Sequence, residues 1–303
     1  MRCVRAVLSA LLLLIVVPFA PGASADGIAR AIANDLAARR SKPVVIENTV
    51  GAGGSLGLAA VAKSPPDGDT LGIGASGALL INPNLPNSIA PDLLRELAPV
   101  AKLIEVGIVV VANSSIGPQS IGDMIARAKA LPQGLTYGST GVNTGQHLTM
   151  ELLRQATGAN LVHVPYRGSA PAVVDLIGGQ IPVAVVDITS AYPHIAAGRL
   201  RALGMPGAKR SAAAPDIPTI AEEGVPGFAP GAGWLGLFAP AATPPPAIKR
   251  LSRDIGEILA LPQVETSVKA LTATVAYEDD ATFAKFLDAE SAKWKLALRS
   301  LAN

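Results

Sequence analysis

The sequence has a single cysteine, Cys3, which lies near its amino terminus. A lone cysteine supplies neither an internal disulfide framework nor a cysteine-based zinc site. Because no other thiol is present, the body of the chain also lacks a cysteine nucleophile. These absences exclude the disulfide-rich modules, the cysteine-ligated zinc modules and the thiol enzymes.

Aromatic and charged residues are also few. Aromatic residues make up 4% and charged residues 16% of the 303 residues, whereas half of the residues are hydrophobic. The core must therefore consist mainly of Ala, Val, Leu and Ile, and the length predicts two domains or one large one. The formal net charge is +2, and Arg2 and Arg5 account for both units. Since nucleic-acid binding needs clustered Lys and Arg, we expect no nucleic-acid partner.

The sequence gives little support for metal or nucleotide chemistry. The three histidines, His147, His163 and His194, lack the spacing of metal ligands. The glycine-rich run at 51–57 lacks the spacing of a dinucleotide-binding loop, and no Walker phosphate loop occurs. We therefore expect neither a metal nor a cofactor.

The amino terminus has the pattern of a secretory signal. Arg2 and Arg5 precede an apolar run at 6–17, and Ala23-Ser-Ala25 matches a signal-peptidase cleavage pattern. The run is too short to span a bilayer comfortably. We therefore predict a periplasmic protein with a signal-like leader at 1–25. The same residues also fit a buried first strand followed by a binding loop, so the two interpretations conflict.

Apolar strand patterns alternate with helical patterns over most of the chain. This order predicts an α/β fold with mostly parallel sheets flanked by helices. The predicted strands are 12–18, 43–47, 71–75, 98–104, 107–112, 135–138, 161–165, 182–187, 200–204 and 233–238. The predicted helices are 27–39, 55–63, 120–130, 146–156, 170–178, 190–197, 217–223, 245–260, 263–271 and 280–300.

Loops of small residues follow five of the predicted strands. They lie at 19–26, 50–57, 75–78, 138–145 and 166–171. In an open α/β sheet such loops meet at the carboxyl ends of the strands, where ligands bind. Their convergence predicts a binding site for a small molecule.

The loop between Tyr137 and His147 is the most informative of the five. It consists of small and polar residues, carries no fixed charge and precedes an amphipathic helix. The first turn of a helix offers unpaired N–H groups and a positive dipole end. The loop therefore fits a carboxylate or phosphate bound mainly by backbone amides, although a plain strand-to-helix turn has a similar composition.

Several polar residues near the predicted strand ends allow two interpretations. Asp187 fits either a ligand contact or a helix N-cap, and Arg167 fits either an anion partner or a solvated charge. Trp234 fits either a hinge or a cleft wall, whereas His163 is predicted to be a hydrogen-bonded core residue. A hydrolase or transferase using Ser139 and His147, with Asp187 as a third member, is an alternative to a binding protein.

The motifs resemble those of a known family, and their order and spacing make the match specific. They are Val44-Val-Ile-Glu-Asn48, Gly51-Ala-Gly-Gly54, Pro66-Asp-Gly68, Tyr137-Gly-Ser139 with His147-Leu148, His163-Val-Pro-Tyr166, Ala170-Pro-Ala172, Pro193-His-Ile195, Gly198-Arg-Leu-Arg-Ala-Leu203, Pro218-Thr219, Glu222, Gly224 and Trp234-Leu-Gly-Leu-Phe-Ala-Pro240. Over about residues 12–300, the chain resembles the Bug/TctC receptors, the extracytoplasmic solute-binding proteins of tripartite tricarboxylate transporters.

This resemblance implies a two-lobed Venus-flytrap fold of the type II periplasmic-binding-protein class. Lobe 1 would comprise 12–111 and 235–303, and lobe 2 would comprise 112–234. The lobes would close by hinge motion on a small carboxylate or a related solute. The implied ligand-binding residues are Phe19, Gly22, Ala23, Asp26, Ser76, Gly77, Ser139, Thr140, Thr144, His147, Arg167, Gly168 and Asp187.

The resemblance also implies a role and partners. The chain would be a non-catalytic monomer that captures its ligand outside the cytoplasmic membrane. It would deliver the ligand to the membrane subunits of a tripartite tricarboxylate transporter. A sensor receptor that hands its ligand to a signalling partner is a further alternative.

Two departures from the family pattern concern the amino terminus. The first loop has Gly22-Ala23 where the family usually has two glycines, so the Ala23 methyl is expected to narrow the site or to forbid a positive φ. Cleavage after Ala25 would remove the predicted first strand. This predicts a retained leader, a start further upstream or a degraded paralogue, and a misassigned start or a deletion is the favoured explanation.

Overall fold

The computed structural model describes residues 12–85, 90–231 and 233–302, with the side chains of 300–302 excepted. The predicted n-region arginines and Cys3 lie outside these residues. The strands are β1 Leu13–Val17, β2 Val44–Asn48, β3 Thr70–Gly74, β4 Leu97–Val106, β5 Ile108–Asn113, β6 Leu135–Ser139, β7 Leu161–Pro165, β8 Val183–Asp187, β9 Leu200–Gly204, β10 Gly233–Pro240 and β11 Ala273–Glu278.

The α-helices lie mostly between the strands. They are α1 Ser24–Arg40, α2 Ser55–Ala62, α3 Leu93–Glu96, α4 Ile121–Ala130, α5 Gly145–Thr157, α6 Ser169–Ile177, α7 Ile188–Ala196, α8 Pro245–Leu259, α9 Pro262–Ala270 and α10 Asp280–Ala302. A π-helical turn at Gly77–Ile81 follows β3. Among the described residues, no helix combines the length and the apolar character needed to cross a membrane.

The strands form two sheets. The first has the order β11-β4-β10-β3-β1-β2, and the second has the order β7-β6-β8-β5-β9. The pairs of β1 with β2 and β3, and of β6 with β7 and β8, are parallel. The other pairs are antiparallel, so both sheets are mixed. The α/β class is confirmed, but the sheets are less parallel than the sequence predicted, because β4 passes directly into β5 without a helical crossover and β10 pairs antiparallel with β3 and β4.

The chain passes between the sheets at Gly107, since β4 ends at Val106 and β5 begins at Ile108. It returns to the first sheet with β10. The division of the lobes after residue 111 stays a prediction, but all of β5 lies in the second sheet. An added Cβ at Gly107 would lie 2.2 Å from Cε of Met205, so a side chain at the crossing point would require the Met205 side chain to move.

The amino-terminal segment, which the sequence allows as either a signal leader or a buried strand, forms an inner strand of the first sheet. Residues Leu13–Val17 pair on one side with β2 and on the other with β3. Four of the five are buried because helices cover both faces of this sheet. Ala25, the predicted cleavage position, lies inside helix α1. Cleavage there would remove β1, its parallel ladders and a large buried apolar area.

The segments at 217–223 and 273–278 differ from the secondary structure that the sequence predicts. The predicted helix at 217–223 is a series of turns, in which Glu222 and Thr219 bond each other's backbone. Strand β11 was not predicted, although it extends the first sheet beside β4. Its alternating pattern is weak, with buried Ala273 at its start and an exposed Tyr277.

Candidate functional site

A cavity lies between the two sheets at the carboxyl ends of their parallel strands. It encloses about 570 Å³ of atom-free space, the open space at its mouth included. Its walls are Phe19, Ala23, Ser24, Ala25, Gly53, Ala75, Ser76, Gly77, Val106, Ile108, Thr140, Thr144, Gly145, Gln146, Gly168, Ser169, Asp187, Gly233, Trp234 and Leu235. No Lys, Arg or His is among these wall residues, and Asp187 is the one acidic residue among them.

Three helices begin in the cavity wall. Helix α1 begins after Ala23, α5 after Thr144 and α6 after Gly168. Neither Ala23 nor Gly168 provides a side-chain cap, so the first amides of α1 and α6 have no capping side chain. Helix amino termini attract anions through these N–H groups and through the dipole. The cavity therefore offers an anion three converging positive ends without a cationic side chain.

Loops from the two sheets approach each other closely beside the cavity. A Cβ added at Gly77 would lie 3.1 Å from the backbone oxygen of Asn143 and 3.2 Å from Cα of Thr144. A Cβ added at Gly145 would lie 3.2 Å from Oγ of Ser76. The cleft is thus closed in this structure, and glycines permit the close approach of the two sides.

Asp187 occupies the N-cap position of α7, but its side chain makes no capping hydrogen bond. It accepts hydrogen bonds from Ser24 Oγ at 2.7 Å and from Gln146 Nε2 at 2.5 Å. Burial raises the pKa of Asp187, and the bonds from Ser24 and Gln146 only partly oppose this rise. Of the two interpretations that the sequence allows, the side chain therefore fits the contact with the cavity better than the helix cap.

The first loop is held by Asp26, which lies behind the cavity wall. Burial disfavours its charge, but hydrogen bonds from Arg30, from the Gly22 amide and from Asn48 lower the pKa of Asp26 below its usual value. Gly22 has φ +86° and is exposed outside the cavity. Ala23 has φ −101°, so its methyl lines the cavity without backbone strain.

Ser139 and His147 do not reach the cavity. Ser139 Oγ lies 2.6 Å from Nε2 of His163, and His147 Nδ1 accepts from the Asn143 amide at 3.1 Å. The two imidazoles stack with centroids 4.1 Å apart. Burial, with a smaller effect of neighbouring His147, lowers the pKa of His163 to about 4. Burial also lowers the pKa of His147.

The triad of Ser139, His147 and Asp187 is therefore not assembled. Ser139 pairs with the histidine that the sequence assigned to the core, and Asp187 bonds Ser24 and Gln146 instead. Ser139 ends β6 and His147 lies in the first turn of α5, but neither side chain belongs to the cavity wall. Loop direction, which sequence spacing does not encode, decides this.

Arg167 lies outside the cavity as well. It is exposed and lines a neighbouring surface cleft together with Pro18, Val50 and Tyr166. Of the predicted site residues, the structure brings eight to the cavity wall: Phe19, Ala23, Ser76, Gly77, Thr140, Thr144, Gly168 and Asp187.

The sequence prediction missed Ser24, Gln146 and Ser169, which follow the N-caps of α1, α5 and α6. Gln146 opens the predicted helix 146–156, whereas Ser24 and Ser169 precede the predicted helix starts at 27 and 170, so the sequence offered a signal for Gln146 alone. Trp234 was given two interpretations, and it lines the cavity while its ring packs edge-on against Phe283.

Two glycine patterns in the sequence match motifs of other site types. Gly53-Gly-Ser-Leu-Gly57 has the spacing of a nucleophile elbow, but Ser55 begins α2 and bonds Asn82. Gly72-Ile-Gly-Ala-Ser-Gly77 has dinucleotide-loop spacing, but only the short π-helical turn follows β3. Within the described part of the chain, no group of three or more His, Cys, Asp or Glu is placed to hold a metal ion.

Comparison with known proteins decides the family. The sequence model described as "Tripartite tricarboxylate transporter family receptor" matches residues 28–302. The chain belongs to this family of receptors. Its members are periplasmic solute-binding proteins, and the chain is accordingly a receptor and not an enzyme.

Relatives and solved structures agree with this assignment. The chain is 36% identical to BugT of Bordetella pertussis over 94% of this chain and 87% of that protein. R. palustris Rpa4515 with adipate superposes with a TM-score of 0.88 at 30% identity, covering 96% of this chain and 97% of that one. MatC of Rhodopseudomonas palustris with bound malate gives 0.87 at 29% identity, covering 95% and 98%. The two-lobed fold of the receptor is therefore shown.

Proposed function

We propose that this receptor captures a small carboxylate in the cavity between its lobes. The observation that carries the proposal is the convergence of the amino termini of α1, α5 and α6 on a cavity without cationic side chains. Such an arrangement binds an anion through backbone amides and helix dipoles. The bound adipate and malate of the two neighbouring structures are carboxylates, which supports the same ligand class here.

A titration of matched acids and amides tests this proposal. Small dicarboxylates such as succinate, glutarate and adipate are titrated into the protein by calorimetry, each beside its neutral diamide. We expect saturable binding of at least one acid and no binding of its amide, because only the acid carries the charge. A thermal melt with and without the acid supports the titration. A ligand at about 100 times its Kd adds about 2.7 kcal/mol to the free energy of unfolding and so raises Tm. Equal binding of acid and amide would contradict the proposal.

The predicted ligand-binding residues outside the cavity keep a different role in this proposal. Gly22, Asp26, Ser139 and His147 hold the loops in place, and Arg167 attracts anions at a distance. The lobes are expected to open by hinge motion about the two crossings between the sheets, at Gly107 and at the start of β10, because a boundary at 111/112 would divide β5. Small-angle scattering should show a smaller radius of gyration with a bound acid than without it.

The receptor is further proposed to act as a monomer in the periplasm and to deliver its ligand to the membrane subunits of a tripartite tricarboxylate transporter. The family assignment and the signal-like leader support this role. Vesicles holding the membrane subunits should take up a radiolabelled acid only when the receptor is added. Binding without any uptake would favour the sensor role.

A further inference from the structure

The Asp187 carboxyl is the unusual feature of the cavity. It is half-buried in the wall, and among the residues that the structure describes no Lys, Arg or His lines the cavity beside it. In its ionised form this carboxyl repels the anion that the helix amino termini attract, and the bonds from Ser24 and Gln146 favour that form against the effect of burial. A ligand consisting only of carboxylate groups and methylenes leaves this repulsion uncompensated.

Two neighbouring side chains fix the orientation of this carboxyl. Ser24 Oγ, from the first turn of α1, donates to Oδ2 at 2.7 Å, and Gln146 Nε2, from α5, donates to Oδ1 at 2.5 Å. Ser169 Oγ accepts from the Asp187 amide at 3.1 Å. The bond from Ser24 crosses between the lobes, so the carboxyl is held in place when the cleft is closed.

The carboxyl still has acceptor capacity after these bonds. An ionised carboxylate has about four lone-pair sites, and Ser24 and Gln146 occupy one on each oxygen. The side chain does not cap α7, so the free sites are not used by the backbone. Each oxygen thus has one partner and room for another, and a donor on the ligand would add a charge-assisted hydrogen bond inside the closed cavity.

We propose that Asp187 selects carboxylates that also carry a hydroxyl or ammonium donor. The ligand carboxylate lies at the helix amino termini, and the donor bonds Asp187. Asp187 is then a specificity-determining residue, and the ligand class is hydroxy acids or amino acids. This inference rests on the proposed function and names the ligand class of the same cavity.

Matched ligand sets separate the two proposals. Succinate, malate and aspartate share four carbons, and glutarate, 2-hydroxyglutarate and glutamate share five. Calorimetric titration of the full chain should give, in at least one set, binding of a donor-bearing acid at least about tenfold tighter than that of its plain parent. Within each set, the affinity of the hydroxy acid compared with that of the amino acid shows which of the two donor types is preferred.

Asp187→Asn tests the residue itself, because it keeps the shape and removes the charge. We expect the preference for the donor-bearing acid to fall to within about threefold, with a higher affinity for the plain parent because the repulsion is removed. Asp216→Asn is the matched control, since Asp216 is an exposed carboxylate of the same lobe. A thermal melt of each variant without ligand reports whether the fold is retained.

The outcomes are distinct. Plain diacids that bind as tightly as their hydroxy and amino forms would overturn the inference while leaving carboxylate capture intact. An unchanged preference in Asp187→Asn would also overturn it. If no acid of either set and no adipate binds, the proposed function fails as well.

Discussion

The loop from Ser139 to His147 has two faces, and they differ in chemistry. The cavity face carries Thr140, Thr144 and the amide ends of α5. The opposite face carries Ser139 and His147, both engaged in a buried cluster with His163. Residues of the types used in catalysis thus stabilise the loop, whereas small residues form the binding wall. In this receptor, reactive residue types are therefore a poor guide to the site.

The largest effect on ligand affinity is expected for a substitution at the cavity face. Gly77→Val places a side chain against the backbone of Asn143 and Thr144 across the cleft, so the lobes cannot close. Overpacking costs about 1–3 kcal/mol, which predicts a roughly tenfold to 100-fold loss of affinity for any acid that binds. Calorimetric titration measures it. Gly122→Val is the control, because the nearest atom to its added Cβ is 3.7 Å away. Equal affinities of the two variants would contradict a closed ligand-bound cleft.

Thr144 belongs to both faces, so its substitution should affect both stability and binding. Its Oγ1 accepts from the His147 amide and from Thr140, and it donates to the Gly141 carbonyl. Thr144→Val keeps the shape and removes the cap, which should lower the free energy of unfolding by about 1–2 kcal/mol. Urea unfolding measures this change. Thr144→Ser should restore most of the stability, and failure to do so would mean that methyl packing dominates over the cap.

Substitutions on the opposite face of the loop are expected to affect stability alone. Ser139→Ala removes the bonds to His163 and to the Gly141 backbone, at a cost of about 1 kcal/mol. Ligand affinity should stay within about twofold after correction for the unfolded fraction, because Ser139 does not line the cavity. A tenfold weaker binding by the folded variant would place Ser139 in the site and erase the contrast between the faces.

The smallest effect at neutral pH is expected for His163. Because its folded pKa, about 4, is below the ordinary 6.5, it is neutral in both states above pH 6.5 and contributes no pH dependence there. Between pH 6.5 and 4 the unfolded chain binds a proton that the folded chain does not, so stability falls as the pH falls. His163→Gln should make this decline shallower in urea unfolding at several pH values. An unchanged slope would mean that His163 is not held neutral.

The sequence predicted the architecture well for a physical reason. Buried parallel strands such as β3 and β8 require continuous apolar runs, and the loops after them require small residues. The apolar runs and the small-residue loops are both local features of the sequence, and the family motifs contain both in the same order. Helix α1 began three residues earlier than predicted, because Ala23 caps it without a recognisable capping side chain.

The orientation of individual side chains was not predictable in the same way. His147 and Gln146 are adjacent, yet only Gln146 lines the cavity. The φ of +60° at Asn143 and of +138° at Gly141 turns the loop, and local composition does not fix these angles. Ser24 was missed because its bond to Asp187 joins residues 163 positions apart.

By itself the sequence determined the α/β class, the order of strands and helices, the loops of small residues and the family. These depend on hydrophobic periodicity and on residue size, which are properties of neighbouring residues. Only the tertiary structure decided that three helix amino termini meet in one cavity, and that Asp187 lies there with no cationic side chain among the described residues of the wall. Those features depend on which distant segments pack together, and the packing of the two lobes sets them.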